Sequence, residues 1–234
     1  MLYSILISIT ACNNGAKTPG MIEEAMLHPK FEKGKIHGIG IFKIGSSVET
    51  TIGELVNNEK YVEDTISNIV DQRNGRKLDR LVHTMIFRIK APASTLESDV
   101  DIIKADYTIA LWCRQTSIFT IAKYVVDSIE INNLVLSYYN NKLVHMECTA
   151  TNELISAIEK KYGKYDMVGD VDVWHGYKNG DVEAWKMTEA GVPGEIFKIY
   201  LTGAQNFIEN CGERDFATMD SIEKSYKHQS LKNL

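Results

Sequence analysis

The chain has 234 residues, 44% of them hydrophobic and 24% charged, with a formal net charge of −5. That is enough chain to bury a sizeable core, and the mild acidity leaves no basic footprint for nucleic acid. Beyond residue 12 no apolar run approaches the roughly 20 residues of a membrane-spanning helix, and no heptads, low-complexity tract or internal repeat stand out.

Leu2 to Ala11 is apolar apart from Ser4, Ser8 and Thr10, and it leads into Ile9-Thr10-Ala11-Cys12. This pattern resembles the signal of bacterial envelope lipoproteins, in which an apolar segment precedes a branched apolar residue, a small residue, Ala or Gly, and Cys. It departs from that signal in one respect: no Lys or Arg precedes the apolar segment, and a true start upstream of Met1 would supply one. The resemblance covers about the first dozen residues. It implies that 1–11 is a removed signal segment, that Cys12 is lipidated, and that the membrane is a partner through this anchor. Each buried acyl CH₂ contributes about 0.8 kcal/mol to such an anchor. The location implied is the cell envelope, on the periplasmic side or at the cell surface. Residues 12–20, rich in Asn, Gly and Pro, read as a flexible tether, and 21–234 as a single α+β domain. The competing reading makes the first nine residues a buried N-terminal strand.

Met21 to Leu27 suits a short helix. Ile36 to Ile44 alternates as a strand, and Ser46 followed by Glu49 has the form of a capping box opening a helix through Ile52, Leu55 and Val56. Glycines 38, 40 and 45 lie on this passage, but their spacing fits no phosphate-binding loop. Val62, Ile66, Ile69 and Val70 recur at helical spacing, 71–77 reads as a solvated loop, and Leu81 to Lys90 as a strand. Residues 91–99, with Pro92, mark a sub-lobe boundary. Ile102 to Cys113 and Ile118 to Val126 then pair across Arg114-Gln115-Thr116.

The most self-consistent stretch follows. Apolar and aromatic runs flank Asn140-Asn141, which tolerate the positive φ of a tight hairpin, and this turn sets Tyr139 against Lys142, Tyr138 against Leu143 and Leu136 against His145. Thr151 then caps a helix with Glu153 in its first turn. Its apolar stripe is Leu154, Ile155, Ile158 and Tyr162, and Gly163 ends it. Val171 to Tyr177 and Val182 to Met187 flank Asn179-Gly180, a second hairpin signal that sets Trp174 against Trp185, Tyr177 against Val182 and His175 against Ala184. Glu195 to Leu201 is a last strand, followed by a helix near Ala204 to Asn210 and a polar segment that is helical to about Ser225. Strands joined by hairpins, with helices between them, give an α+β fold: a mainly antiparallel sheet with helices packed on one face.

Candidate chemistry is sparse. His145 and Glu147 share a strand face, and Asp170, Asp172 and His175 cluster near another strand, but neither set has the ligand spacing of a zinc or calcium site. The reading therefore assigns no metal, cofactor or catalytic residue. The carboxylate pairs Glu23-Glu24 and Glu63-Asp64 read as solvated helix faces. Trp174, Tyr177 and Trp185, with Phe197 and Tyr200, form either an interaction surface or, the favoured reading, sheet core. With Cys12 lipidated, Cys113, Cys148 and Cys211 remain; buried thiols packing as small hydrophobes are the favoured reading, and Cys113 to Cys148 is the preferred pair if a disulfide forms. The expectation is a lipid-anchored envelope protein, non-enzymatic, that binds a protein partner through its sheet. The alternative is a periplasmic enzyme or a small-ligand or metal binder using the His145/Glu147 or Asp170/Asp172/His175 cluster.

Overall fold

The structure, a computed structural model, describes residues 19–56, 59–73, 76–89, 100–109, 115–169, 174–188, 193–208 and 210–211. It opens with α1 (Pro19–Leu27), two short strands β1 (Gly38–Ile39) and β2 (Phe42–Lys43), and α2 (Ile52–Val56). Strands β3 (Glu59–Arg73), β4 (Arg76–Ile89), β5 (Val100–Ile109), β6 (Thr116–Val126), β7 (Ile129–Tyr139) and β8 (Lys142–Thr149) follow in succession. Then come α3 (Asn152–Tyr162), β9 (Met167–Val168), β10 (His175–Asn179), β11 (Val182–Thr188) and β12 (Glu195–Leu201). Ten strands make one antiparallel sheet in the order β3-β4-β5-β6-β7-β8-β12-β11-β10-β9. The α+β architecture expected from the sequence, hairpins building a sheet on which helices pack, is the one observed.

The central hairpin shows how register is set. Asn140 and Asn141 take φ of 45° and 65°, matching the turn to the right-handed twist of the strands. Tyr139 opposes Lys142 and Tyr138 opposes Leu143 as the spacing requires, but a bulge after Ser137 then moves the pairing by one residue. Leu136 consequently faces Met146, and His145 faces Ser137, correcting the expected Leu136–His145 pair. Without the bulge a one-residue difference in register would turn His145 toward the core; with it, Leu143 and Val144 are both buried and His145 keeps to the other face. The helix follows as expected: the Thr151 hydroxyl accepts from the Leu154 N–H at 3.2 Å, Leu154 and Ile158 are buried, and Gly163 closes it at a φ of 88°.

Four expectations need correction. The Val62, Ile66, Ile69, Val70 segment is strand β3, because its β-branched content outweighs a weak helical period. Most of the expected 71–77 loop is strand instead: Asp71, Gln72 and Arg73 pair with Leu78, Lys77 and Arg76. Ile36 to Ile44 is no continuous strand: β1 and β2 fold back on each other, with Ile39 opposite Phe42. The helix expected from Ser46 begins only at Ile52, since the Glu49 carboxylate turns to the Asn141 amide instead of back to a cap.

The second hairpin is offset too. Asn179 pairs with Val182, so Gly180-Asp181 is the turn, and Gly176 opposes Trp185, Tyr177 opposes Ala184 and His175 opposes Lys186. The reason lies in Asn179 itself, which is buried. It accepts from the Glu32 N–H at 2.7 Å and donates to the Ile36 carbonyl at 3.0 Å. A residue so engaged cannot serve as an exposed turn. The two-residue offset preserves which face each side chain occupies.

One cluster of buried side chains runs from Met26 to Cys211. It includes Phe119 and Ile121 of β6, Leu134 and Leu136 of β7, Met146 and Cys148 of β8, and Phe197 and Ile199 of β12. The Thr51 hydroxyl, one residue before α2, bonds the Tyr138 hydroxyl at 2.7 Å, and the Tyr177 hydroxyl donates to the Gly163 carbonyl at 2.8 Å beyond α3. Both helices thus cover this inner face. Residues 91–99 and 212–234, Cys12, Cys113, Asp170 and Asp172 lie outside the described residues.

Candidate functional site

Strand alternation assigns every second residue to the outer face of the sheet. One row across the strands reads Lys178, Glu183, Tyr200, His145, Ser137; the next reads Gly176, Trp185, Lys198, Glu147, Val135. Most of these side chains are partly exposed, in contrast to the buried positions between them.

Glu183 is the hub of the first row. Its carboxylate accepts from the Lys178 ammonium, from the Thr202 hydroxyl at 3.1 Å, from the Trp185 indole N–H at 3.2 Å and from the Tyr200 hydroxyl at 3.3 Å. Burial alone would raise its pKa, but the bonds from Lys178, Trp185 and Thr202 outweigh that and hold it below the usual carboxylate value. Burial, reinforced by the nearby Glu183 charge, pushes the Tyr200 phenol up, so it stays a neutral donor. Beside it, Glu147 lies 3.3 Å from the Lys198 ammonium and 3.6 Å from His145 Nε2. Trp185 covers Gly176: a Cβ there would stand 2.8 Å from the indole ring, so only glycine lets the ring lie flat on the sheet.

The residues singled out from sequence do not converge. His145 and Glu147 are neighbours on the outer face, but the Lys198 ammonium already occupies the carboxylate and would repel a cation. His175 pairs with Lys186 on the inner side and stacks on Tyr165 with ring centroids 5.3 Å apart. Asp170 and Asp172 fall outside the described residues. Among the described residues no three His, Cys, Asp or Glu side chains are grouped to hold a metal. The aromatic trio is divided as well: Tyr177 is buried on the inner face, while Trp174 and Trp185 both approach Gly169, where a Cβ would meet them at 2.8 and 3.4 Å.

Cys148 is a free, buried thiol, as the favoured reading has it, and burial pushes it up to about 12; the alternative Cys113–Cys148 bridge is thereby ruled out. The disulfide-bonded residue is Cys211, whose sulfur lies 3.8 Å from Oε1 of Gln115.

The sequence reading missed the Lys178–Glu183–Thr202 network and the Lys198–Glu147 pair. Their only local signal is alternation, as in Val182-Glu183-Ala184, which marks Glu183 as facing out. Its partners come from β10, β11, β12 and the residue after β12, and no single stretch announces that meeting. Comparison with protein-family models, with curated proteins and with solved structures finds no match for this chain.

Proposed function

We propose that this is a lipid-anchored protein of the bacterial cell envelope, acylated at Cys12, whose α+β domain is a non-enzymatic binding module. It meets a protein partner through the outer face of its sheet. The observation that carries the reading is Ile9-Thr10-Ala11-Cys12 after an apolar leader and before a Gly- and Pro-containing tether. A disulfide at Cys211 supports it, since such bonds persist in oxidising compartments. The outer face supports the binding role: its carboxylates are matched to ammonium groups, and Trp185 and Tyr200 are held by Glu183. Such an array offers fixed aromatic surface and polar contacts without an activated nucleophile or base. Anchor residues of this type, aromatic and rigid, dominate protein interfaces.

The test is mass spectrometry of the mature N-terminus from native membranes, with metabolic labelling by an alkyne fatty acid. The expected result is a chain that begins at acylated Cys12 and a Cys12→Ser variant that loses both label and membrane association. An unmodified Met1 on the native protein would end the proposal. For the binding role, Trp185→Ala combined with Lys198→Glu should abolish cross-linking to the envelope partner that the unaltered chain captures. Unchanged cross-linking would place the interface elsewhere.

A further inference from the structure

A cavity of about 400 Å³ lies between α2 and the inner face of the sheet, within the size range of small-molecule sites. Its walls are apolar: Val48, Ile52 and Val56 on the helical side, Phe87 and Phe119 on the sheet. Among the described residues, Glu49, Asn141 and Ser117 are the polar ones in its lining.

Gly53 also lines it and has no conformational reason to be glycine. It lies in the first turn of helix α2, where glycine is a poorer helix former than alanine. It has no positive φ, and an added Cβ would meet only ordinary contacts, the nearest being the Val48 carbonyl at 3.7 Å. A side chain there meets no close contact, and a large one would compete for the space that Gly53 lines.

The mouth carries a fixed negative charge. The Asn141 amide donates to both Glu49 oxygens at 2.9 and 2.8 Å, and Asn141 Oδ1 in turn accepts from the Val48 N–H at 3.2 Å. Bonds from Asn141, the Glu49 backbone and Ser47 keep this exposed carboxyl below its usual pKa, with Lys142 the weakest contributor. Among the described residues no cation lies within ion-pair distance of Glu49, whose carboxylate is bonded by neutral donors.

We propose that this cavity binds a small amphipathic organic cation, its hydrocarbon or aromatic body between α2 and Phe119 and its ammonium on Glu49. The site is independent of the anchor at Cys12 and of the outer sheet face.

The test titrates the full folded domain with three probes of equal chain length, octylammonium, octanoate and octanol, by calorimetry and by amide chemical shifts. The expected result is binding of octylammonium at least tenfold tighter than octanoate, with shifts centred on 48–56 and 117–119. Glu49→Gln should bring octylammonium to the level of octanol, and Gly53→Phe should abolish binding of all three. Gly53→Leu, a smaller plug, and the melting temperature of each variant separate lost binding from lost folding. Equal binding of the amine and the acid, no binding of the amine, or tenfold preference retained in folded Gly53→Phe would each overturn the proposal. Preference for octanoate would reassign the cavity to anionic lipid-like ligands.

Discussion

Glu183 shows how one carboxylate can be half-buried without becoming a liability. Four donors, from β10, from β11 itself and from the end of β12, converge on it, so its charge is solvated by the protein itself. Glu183→Ala strands the Trp185 and Tyr200 donors and the Lys178 charge, and should cost about 1–3 kcal/mol in urea unfolding. Because the folded pKa lies below the unfolded one, the stabilisation is complete above the ordinary carboxyl range of about 4.3 and drains away as the pH falls through the depressed value. The stability gap between the unaltered protein and Glu183→Gln should therefore be widest near pH 7 and narrow below about pH 4. A gap that widens on acidification would contradict the assignment. Cys148 gives a second check at this scale. With its thiol raised to about 12 and buried, it should resist iodoacetamide in the native protein and react once unfolded.

At the scale of elements, α3 and the hairpin before it were legible because each local signal agreed with the others. Thr151, Glu153, the stripe of Leu154 and Ile158, and Gly163 all point to one helix, and that helix forms with the cap in place. Thr151→Ala should cost about 1 kcal/mol in thermal or urea unfolding, and Thr151→Ser should restore most of it. Elsewhere local and tertiary demands diverge. The β3 sequence has apolar residues at near-helical spacing, yet pairing with β4 along its whole length makes it a strand. The bulge after Ser137 and the displaced turn at Gly180-Asp181 are also invisible locally. One spares His145 from burial, and the other frees Asn179 to hold a segment about 150 positions earlier in the chain. The candidate site was illegible for the same reason, since Glu183, Lys178 and Lys198 acquire partners only through register.

At the scale of the whole molecule, contacts between residues far apart in sequence tie the late hairpin to the segment that precedes the sheet. Asn179 joins β10 to the residues leading from α1 to β1, accepting from Glu32 and donating to Ile36, while the Asp181 N–H donates to the Lys30 carbonyl at 2.8 Å. Asn179→Ala leaves the buried Ile36 carbonyl and the part-buried Glu32 N–H unpaired and should cost about 1–3 kcal/mol of folding free energy, with amide exchange rising first over 30–36. Cys211 is the other closure. Four cysteines are present; Cys148 is free and Cys211 is disulfide-bonded, which leaves Cys12 or Cys113 as its partner within the chain. Acylation of Cys12 consumes its sulfur as a thioether, so the anchor and a Cys12–Cys211 bridge exclude each other. Gln115, two residues from Cys113, already lies against the Cys211 sulfur. Non-reducing peptide mapping of the membrane-extracted protein should therefore return a Cys113–Cys211 cross-linked pair, and Cys211→Ser should free one thiol and lower the unfolding midpoint. A Cys113–Cys211 bridge would close a loop of close to a hundred residues, for which loop entropy gives about 4–5 kcal/mol. A Cys12–Cys211 peptide would remove the anchor and bring the N-terminal segment into the folded body.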